Sequence, residues 1–212
     1  MTQPYGNLKI AKVLVIGHEP RLQNSKSIPE YSFYADYFFS EEPKSGPEKR
    51  KYGLAKSLYE YLDWLTSGKY KPEQFYITNL TNRALDRKED GKTVLINTDY
   101  AQECVFLIRD LAHNNNFDLI FAMSLQPNYW LQLFGACNYD EEFMRMAEPK
   151  DLNSDYQPKE KECFKKICGK QFDANGIPLF PILHVKQYSL KGPAFKSYLP
   201  DLENCRKLVS KI

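Results

Sequence analysis

The chain has 212 residues, of which 42% are hydrophobic and 26% charged, and a chain of this size buries a substantial core, typically within one domain. Its formal net charge is only +2, so it lacks the strong basic excess that by itself indicates a nucleic-acid-binding domain. Its apolar runs, of about five residues, fall far short of the roughly 20 that span a bilayer, and the polar first residues lack the apolar core of a secretory signal. We therefore expect a cytoplasmic protein with no membrane partner.

The first half of the chain alternates predicted strands and a predicted helix. A β-branched run at 12–16 ends at Gly17 and is typical of a strand buried on both faces of a parallel sheet. Apolar residues at helical spacing predict a helix over 54–65, and the run at 74–78 predicts a second strand closing on Asn79. Three apolar residues at 94–96 are compatible with a short strand or a packed loop.

The second half continues the alternation. A helix with one apolar face begins near Thr98 or Asp99, either of which can cap it, and the run at 117–123 predicts a third buried strand. Pro127 suits the first turn of a helix over about 126–134. The order of strands and helices predicts the α/β class.

The remaining segments complete one domain over 1–212. Residues 138–176 have the character of an insertion with two charged, peripheral helices, near 140–147 and 158–168; their charged faces are most simply solvated, although they could also form a partner surface. The run at 181–185 predicts the last strand, and Pro200 predicts the start of a final helix.

Several familiar chemistries are excluded by missing motifs. The chain has no phosphate-binding P-loop, no Gly-x-Gly-x-x-Gly turn after its first strand and no Gly-x-Ser-x-Gly elbow. Its five cysteines are scattered without a Cys-x-x-Cys pair, so we interpret them as buried thiols, and the spacing of Cys163 and Cys168 as one buried helix face.

The residues directly after the predicted strands are the candidates for a site, because ligands of parallel α/β sheets bind beyond the carboxyl ends of the strands. They are the segment Gly17–Arg21 after the first strand, Thr78-Asn79 at the end of the second, Ser124 and Gln126 after the third, and His184 with Lys186 and Tyr188 at the last. Each also has a structural interpretation. Gly17 with Pro20 suits a tight strand exit, Asn79 suits a loop cap, and His184 suits a hydrogen-bonded polar residue at a strand end.

In their order along the chain, these residues resemble the uracil-DNA glycosylase superfamily. In that family a buried strand runs into a Gly-x-x-Pro turn, matched by Gly17-His18-Glu19-Pro20, and Glu19 then holds the attacking water. An aromatic residue that stacks on the flipped base follows, and the candidates are Tyr31, Phe33, Tyr34, Tyr37 and Phe38. A strand ending in Thr-Asn comes next, matched by Thr78-Asn79.

The last motif departs from the family. The family's final strand ends in His-Pro-Ser, and here His184 is followed by Val185 and Lys186. The paired N-terminal cysteines that hold an iron–sulfur cluster in one branch have no counterpart before Cys104. The resemblance nevertheless implies a three-layer α/β/α fold around a central, mainly parallel, four-stranded sheet.

The resemblance implies a DNA glycosylase-like hydrolase that excises uracil or a related deaminated base. Breaking an N-glycosidic bond puts negative charge on the departing base, so the site needs a hydrogen-bond donor there and an oriented water opposite. His184 would donate and Glu19 would hold the water, with Asn79 reading the base edge. The substrate pocket would also include Gly17, His18, Pro20, Phe33 and Tyr34.

Uracil-containing or single-stranded DNA is the implied partner. Arg21, Lys186 and Lys191 would contact its phosphates, with no metal ion and no organic cofactor. Two alternatives stay open: a non-catalytic nucleotide or nucleic-acid binding protein on the same fold, and a small-molecule hydrolase that uses Glu19 with His18 or His184 as general acid and base.

Overall fold

The computed structural model describes residues 1–18, 30–40, 46–83, 96–147, 160–184 and 193–212. Strands and helices alternate, which confirms the α/β class. The strands are β1 (Val13–Gly17), β2 (Phe75–Asn79), β3 (Leu119–Met123), β4 (Phe172–Ala174) and β5 (Ile177–Ile182). The helices are α1 (Pro47–Thr66), α2 (Thr98–His113), α3 (Leu125–Leu133), α4 (Glu141–Ala147), α5 (Glu160–Lys165) and α6 (Pro193–Val209). Short 3-10 turns add Pro72–Gln74 and Ser32–Phe39, and the latter is called the aromatic segment below.

The strands form one sheet in the order β2-β1-β3-β5-β4. The first four in that order are mutually parallel, and β4 is antiparallel to β5. The prediction of four strands is therefore wrong by one among the described residues. The missed strand has only three residues, too few for a period of two to show. Its hairpin turn, Asn175-Gly176, has positive φ at both residues and is a turn signal typical of hairpins.

The sheet carries helices on both faces. On one face, the ring of Tyr59 in α1 meets that of Phe75 in β2 with centroids 6.5 Å apart. On the other face, residues of α2 and α3 line a small cavity with Ile16, Ile120 and Leu179. β1 and β3 are buried along their whole length, as their β-branched and apolar runs predicted.

The starts of two helices, α2 and α6, differ from the predictions. The cap of α2 is Asn97, whose side-chain oxygen accepts from the backbone N–H of Asp99 at 2.9 Å; the predicted caps, Thr98 and Asp99, lie inside the helix. α6 begins at Pro193, so Pro200 is internal. The buried side chains of Phe195 and Tyr198 hold the turns before that proline against the core.

Other boundaries moved by a few residues. α1 begins seven residues before the predicted Leu54, at Pro47, a residue that favours the first turn. The last strand covers Ile177–Ile182 rather than 181–185. Of the apolar run at 94–96, Ile96 is buried, and the other two residues lie outside the described ranges.

The described helices of the 138–176 segment contribute side chains to the core, so the prediction that these helices are peripheral is wrong, while the prediction that the segment is an insertion stays a prediction. Phe143 of α4 and Cys163 of α5 are fully buried, as is Ile167. Both helices pack against α3. Their charged residues stay at the surface, where Lys166 and Glu142 form an exposed ion pair of 3.2 Å.

The cysteines are buried and unbridged, as predicted: Cys104, Cys137, Cys163, Cys168 and Cys205. Burial raises the pKa of the Cys137 thiol to about 12 and that of Cys163 to about 11. Of the helices in the described part of the chain, none combines the length and apolarity needed to cross a bilayer.

Candidate functional site

The site begins where β1 and β2 end side by side. Gly17 and Asn79 are register partners in the parallel pair, and the backbone N–H of Leu80 donates to the carbonyl of Gly17 at 2.7 Å. Asn79 is only 2% exposed. A buried amide therefore stands at the carboxyl edge of the sheet, as the strand pattern predicted.

Gly17 brings the aromatic segment against this edge. A Cβ at Gly17 would lie 2.4 Å from two ring carbons of Phe33 and 2.5 Å from Oδ1 of Asn79. These distances are far below van der Waals contact, so only glycine leaves room for the ring and the amide together. The side chains of Phe33 and Asn79 thus both occupy the space beside Gly17 where a Cβ would lie.

The aromatic segment reaches this place in a strained conformation. Phe33 and Tyr34 have φ values of 58° and 56°, in the left-handed region that bulky side chains seldom adopt. Such strain persists only where surrounding contacts enforce it, and it concentrates at functional sites. Here Ser32 provides one such contact, because its backbone N–H donates to the carbonyl of Gln3 at 2.9 Å.

His184 joins the same cluster from the end of β5. Its ring centroid lies 5.7 Å from that of Phe33, with the two planes 46° apart. The structure therefore brings together four of the predicted site residues: Gly17, Phe33, Asn79 and His184.

The contacts described for two other predicted site residues, Tyr34 and His18, are with residues outside this cluster. Tyr34 is buried, and the Nζ of Lys51 in α1 lies 5.9 Å from its ring centroid. Desolvation by burial is the main reason that the pKa of Tyr34 is raised. The carbonyl of His18 accepts from the N–H of Thr81 at 3.1 Å, which extends the pairing of β1 and β2 past their ends.

The remaining predicted residues lie outside the described ranges: Glu19, Pro20, Arg21, Lys186 and Lys191. Their roles in holding a water, shaping the strand exit or contacting phosphate stay predictions.

Sequence reasoning missed Ser32. This residue is fully buried, and its Oγ accepts from Nδ2 of Asn79 at 3.3 Å. No local pattern marks a serine for this contact, because its partner is 47 positions away. The other end of the Asn79 amide, Oδ1, is buried and has no hydrogen-bond partner among the described residues.

This arrangement suits a flat ring that carries a hydrogen-bond donor. An aromatic face, an imidazole and a buried amide oxygen converge within one small region, and a buried acceptor gains most from a donor that arrives with the ligand. Across the described ranges, His, Cys, Asp and Glu side chains form no group of three that could hold a metal ion.

Comparison of the chain with models of known protein families and with curated proteins found no match. The residues and their geometry therefore carry the functional assignment.

Proposed function

We propose that this chain is a uracil-DNA glycosylase-like hydrolase, which removes uracil or a related deaminated base from DNA by cleaving the N-glycosidic bond. The convergence of Gly17, Phe33, Asn79 and His184 at the carboxyl edge of the parallel strands carries the proposal. The frame is compatible with it, because four parallel strands with helices on both faces fit a three-layer α/β/α fold of that superfamily.

Each side chain has a task in this reaction. As the bond breaks, negative charge develops on the base and positive charge on the sugar. His184 donates a hydrogen bond to an oxygen of the departing base, and Phe33 supplies the face against which the base lies. Asn79 pairs with the base edge, where its amide offers both a donor and an acceptor.

The tasks on the sugar and phosphate side fall to residues next to this cluster in sequence. Glu19 follows His18 at the exit of β1 and would orient the attacking water opposite the base. Arg21, Lys186 and Lys191 would contact phosphates of uracil-containing or single-stranded DNA. The mechanism as proposed needs no metal ion and no organic cofactor.

A second candidate is a binding protein on the same site that holds a base or nucleotide without cutting it. The observation that favours it is the sequence after β5, where Val185 and Lys186 replace the Pro-Ser of the superfamily motif. Without the Pro-Ser loop, the site could still bind a base, but the protein would lack the loop that opens the duplex.

A base-excision assay tests the proposal. Labelled single- and double-stranded oligonucleotides carry uracil, hypoxanthine or a mismatched thymine, and alkali reveals abasic sites. We expect release of one modified base, reduced at least about 100-fold in His184→Ala, since removing one donor to developing negative charge costs that much. His113→Ala is the matched control, because this exposed histidine ends α2 and should retain wild-type release.

Other results would redirect the assignment. Stoichiometric binding of an oligonucleotide or free base that stays intact for hours would establish the second candidate. Neither release nor binding, from protein shown to be folded, would refute both, and turnover of nucleosides or simple esters would point to a small-molecule hydrolase.

A further inference from the structure

We infer that Ser32 is a positioning residue, which holds the Asn79 amide with its oxygen toward the ligand and so selects bases with a ring N–H. The inference rests on the proposed function and deepens it. Its basis is a chain of hydrogen bonds from the Gln3 carbonyl through Ser32 to Asn79.

The direction of this chain follows from what each group can do. A backbone carbonyl only accepts, so the Ser32 hydroxyl donates its single proton to the oxygen of Gln3, at 3.3 Å. Its Oγ can then only accept from Asn79, and the amide must turn Nδ2 toward it. With the amide flipped, the hydroxyl would have to leave the Gln3 carbonyl and turn to the Asn79 oxygen, so the orientation in the structure keeps one more hydrogen bond.

The start of this chain is fixed to the sheet. Tyr5 exchanges two backbone hydrogen bonds of 2.8 Å with Ile77 in β2, which holds the first residues of the chain along that strand. Ser32 donates to the Gln3 carbonyl through its backbone N–H as well as its hydroxyl. Because Ser32 is fully buried, water does not compete for its hydroxyl.

The other end of the chain is an acceptor without a partner. Oδ1 of Asn79 lies 2.5 Å from where a Gly17 Cβ would stand, beside the Phe33 ring, and it has no hydrogen-bond partner among the described residues. A buried, unpaired acceptor costs about 1–3 kcal/mol. A ligand N–H that reaches this oxygen would recover that energy.

This orientation discriminates between bases by chemistry. Uracil, thymine and hypoxanthine carry a ring N–H beside a carbonyl, which matches an oxygen acceptor with an N–H donor next to it. Cytosine and adenine present an unprotonated ring nitrogen, which faces Oδ1 as a second acceptor. The substrate class is therefore a base with a ring N–H.

The test compares the affinities of free uracil and free cytosine, because binding needs no turnover. We expect wild type to prefer uracil, and Ser32→Ala to reduce that preference by at least about tenfold, since the released amide can flip to suit cytosine. Ser40→Ala is the matched control, because that serine directly follows the same segment and its hydroxyl donates to the carbonyl of Asp36 in an exposed hydrogen bond. It should keep the wild-type preference.

A second measurement needs no variant. Nuclear Overhauser contacts from the Asn79 Nδ2 protons to the Ser32 β protons are expected in wild type, and their absence overturns the inference. An unchanged preference in folded Ser32→Ala overturns it too, while the proposed function survives. A wild type that binds neither free base also overturns the inference, whereas release of a base from DNA in the excision assay decides the proposed function separately.

Discussion

At the scale of single residues, the candidate site depends on Gly17 having no side chain. Gly17 ends β1 where Phe33 and Asn79 approach within 2.4–2.5 Å of its missing Cβ. The sequence predicted that Gly17, Asn79 and His184 lie at one edge, because parallel strands end together. The pairing of Phe33 with Gly17 depends on the fold of the aromatic segment, and the five aromatic side chains in that segment made the choice ambiguous from sequence.

Replacing Gly17 with alanine should therefore displace the Phe33 ring or the Asn79 amide. We expect Gly17→Ala to lower the free energy of unfolding by about 1–3 kcal/mol, as overpacking does, and to weaken base binding. Gly53→Ala is the control, because Gly53 is an exposed residue of α1 with nothing within 4 Å of an added Cβ, and it should stabilise by about 0.5–1 kcal/mol. Urea unfolding measures both, and a Gly17→Ala protein as stable as wild type would contradict this packing.

At the scale of elements, Gly169 connects the end of the α5 region to the sheet and to α6. Its backbone N–H donates to the carbonyl of Pro181 in β5 at 2.9 Å, and a Cβ there would lie 2.0 Å from the backbone oxygen of Asp201 in α6. The helix therefore packs directly on the glycine backbone. The sequence placed α6 at Pro200 and gave no sign of this contact, which depends on a residue 32 positions away.

A comparison of alanine variants at two glycines with similar backbone angles separates the cost of conformational strain from the cost of disturbing the contact with α6. Gly169 and Gly135 have φ values of +72° and +67°, but an added Cβ at Gly135 meets nothing within 4 Å. We expect Gly135→Ala to cost about 1–2 kcal/mol from the left-handed conformation alone. Gly169→Ala should cost about 1–3 kcal/mol more, because α6 must shift. Equal losses of unfolding free energy in the two variants would show that α6 does not pack against Gly169.

At the scale of the whole molecule, the buried thiols couple stability to alkaline pH. Cysteines from the second half of the chain lie in the core, and desolvation raises the pKa of Cys163 to about 11 and of Cys137 to about 12. In the unfolded chain a thiol titrates near pH 8.5. The folded state therefore keeps protons that the unfolded state releases.

The sign of the effect follows from proton linkage. Above pH of about 8.5 the unfolded state binds fewer protons, so stability present below that pH is lost progressively up to about pH 11–12. Each such thiol contributes a slope of about 1.4 kcal/mol per pH unit. Urea unfolding from pH 7 to 11 should show this decline in the free energy of unfolding. Cys137→Ala should reduce the slope by the contribution of one thiol, about 1.4 kcal/mol per pH unit. A stability that stays constant between pH 9 and 11 would contradict the burial of these thiols.

The sequence by itself determined the α/β class and the sheet edge at which the candidate site residues lie, because a buried strand is marked by its own run of apolar residues and parallel strands end together. Only the tertiary structure decided which groups meet there. The contacts of Phe33 with Gly17, of Ser32 with Asn79 and of α6 with Gly169 each join residues far apart in the chain. Their fit depends on distances that no local pattern encodes.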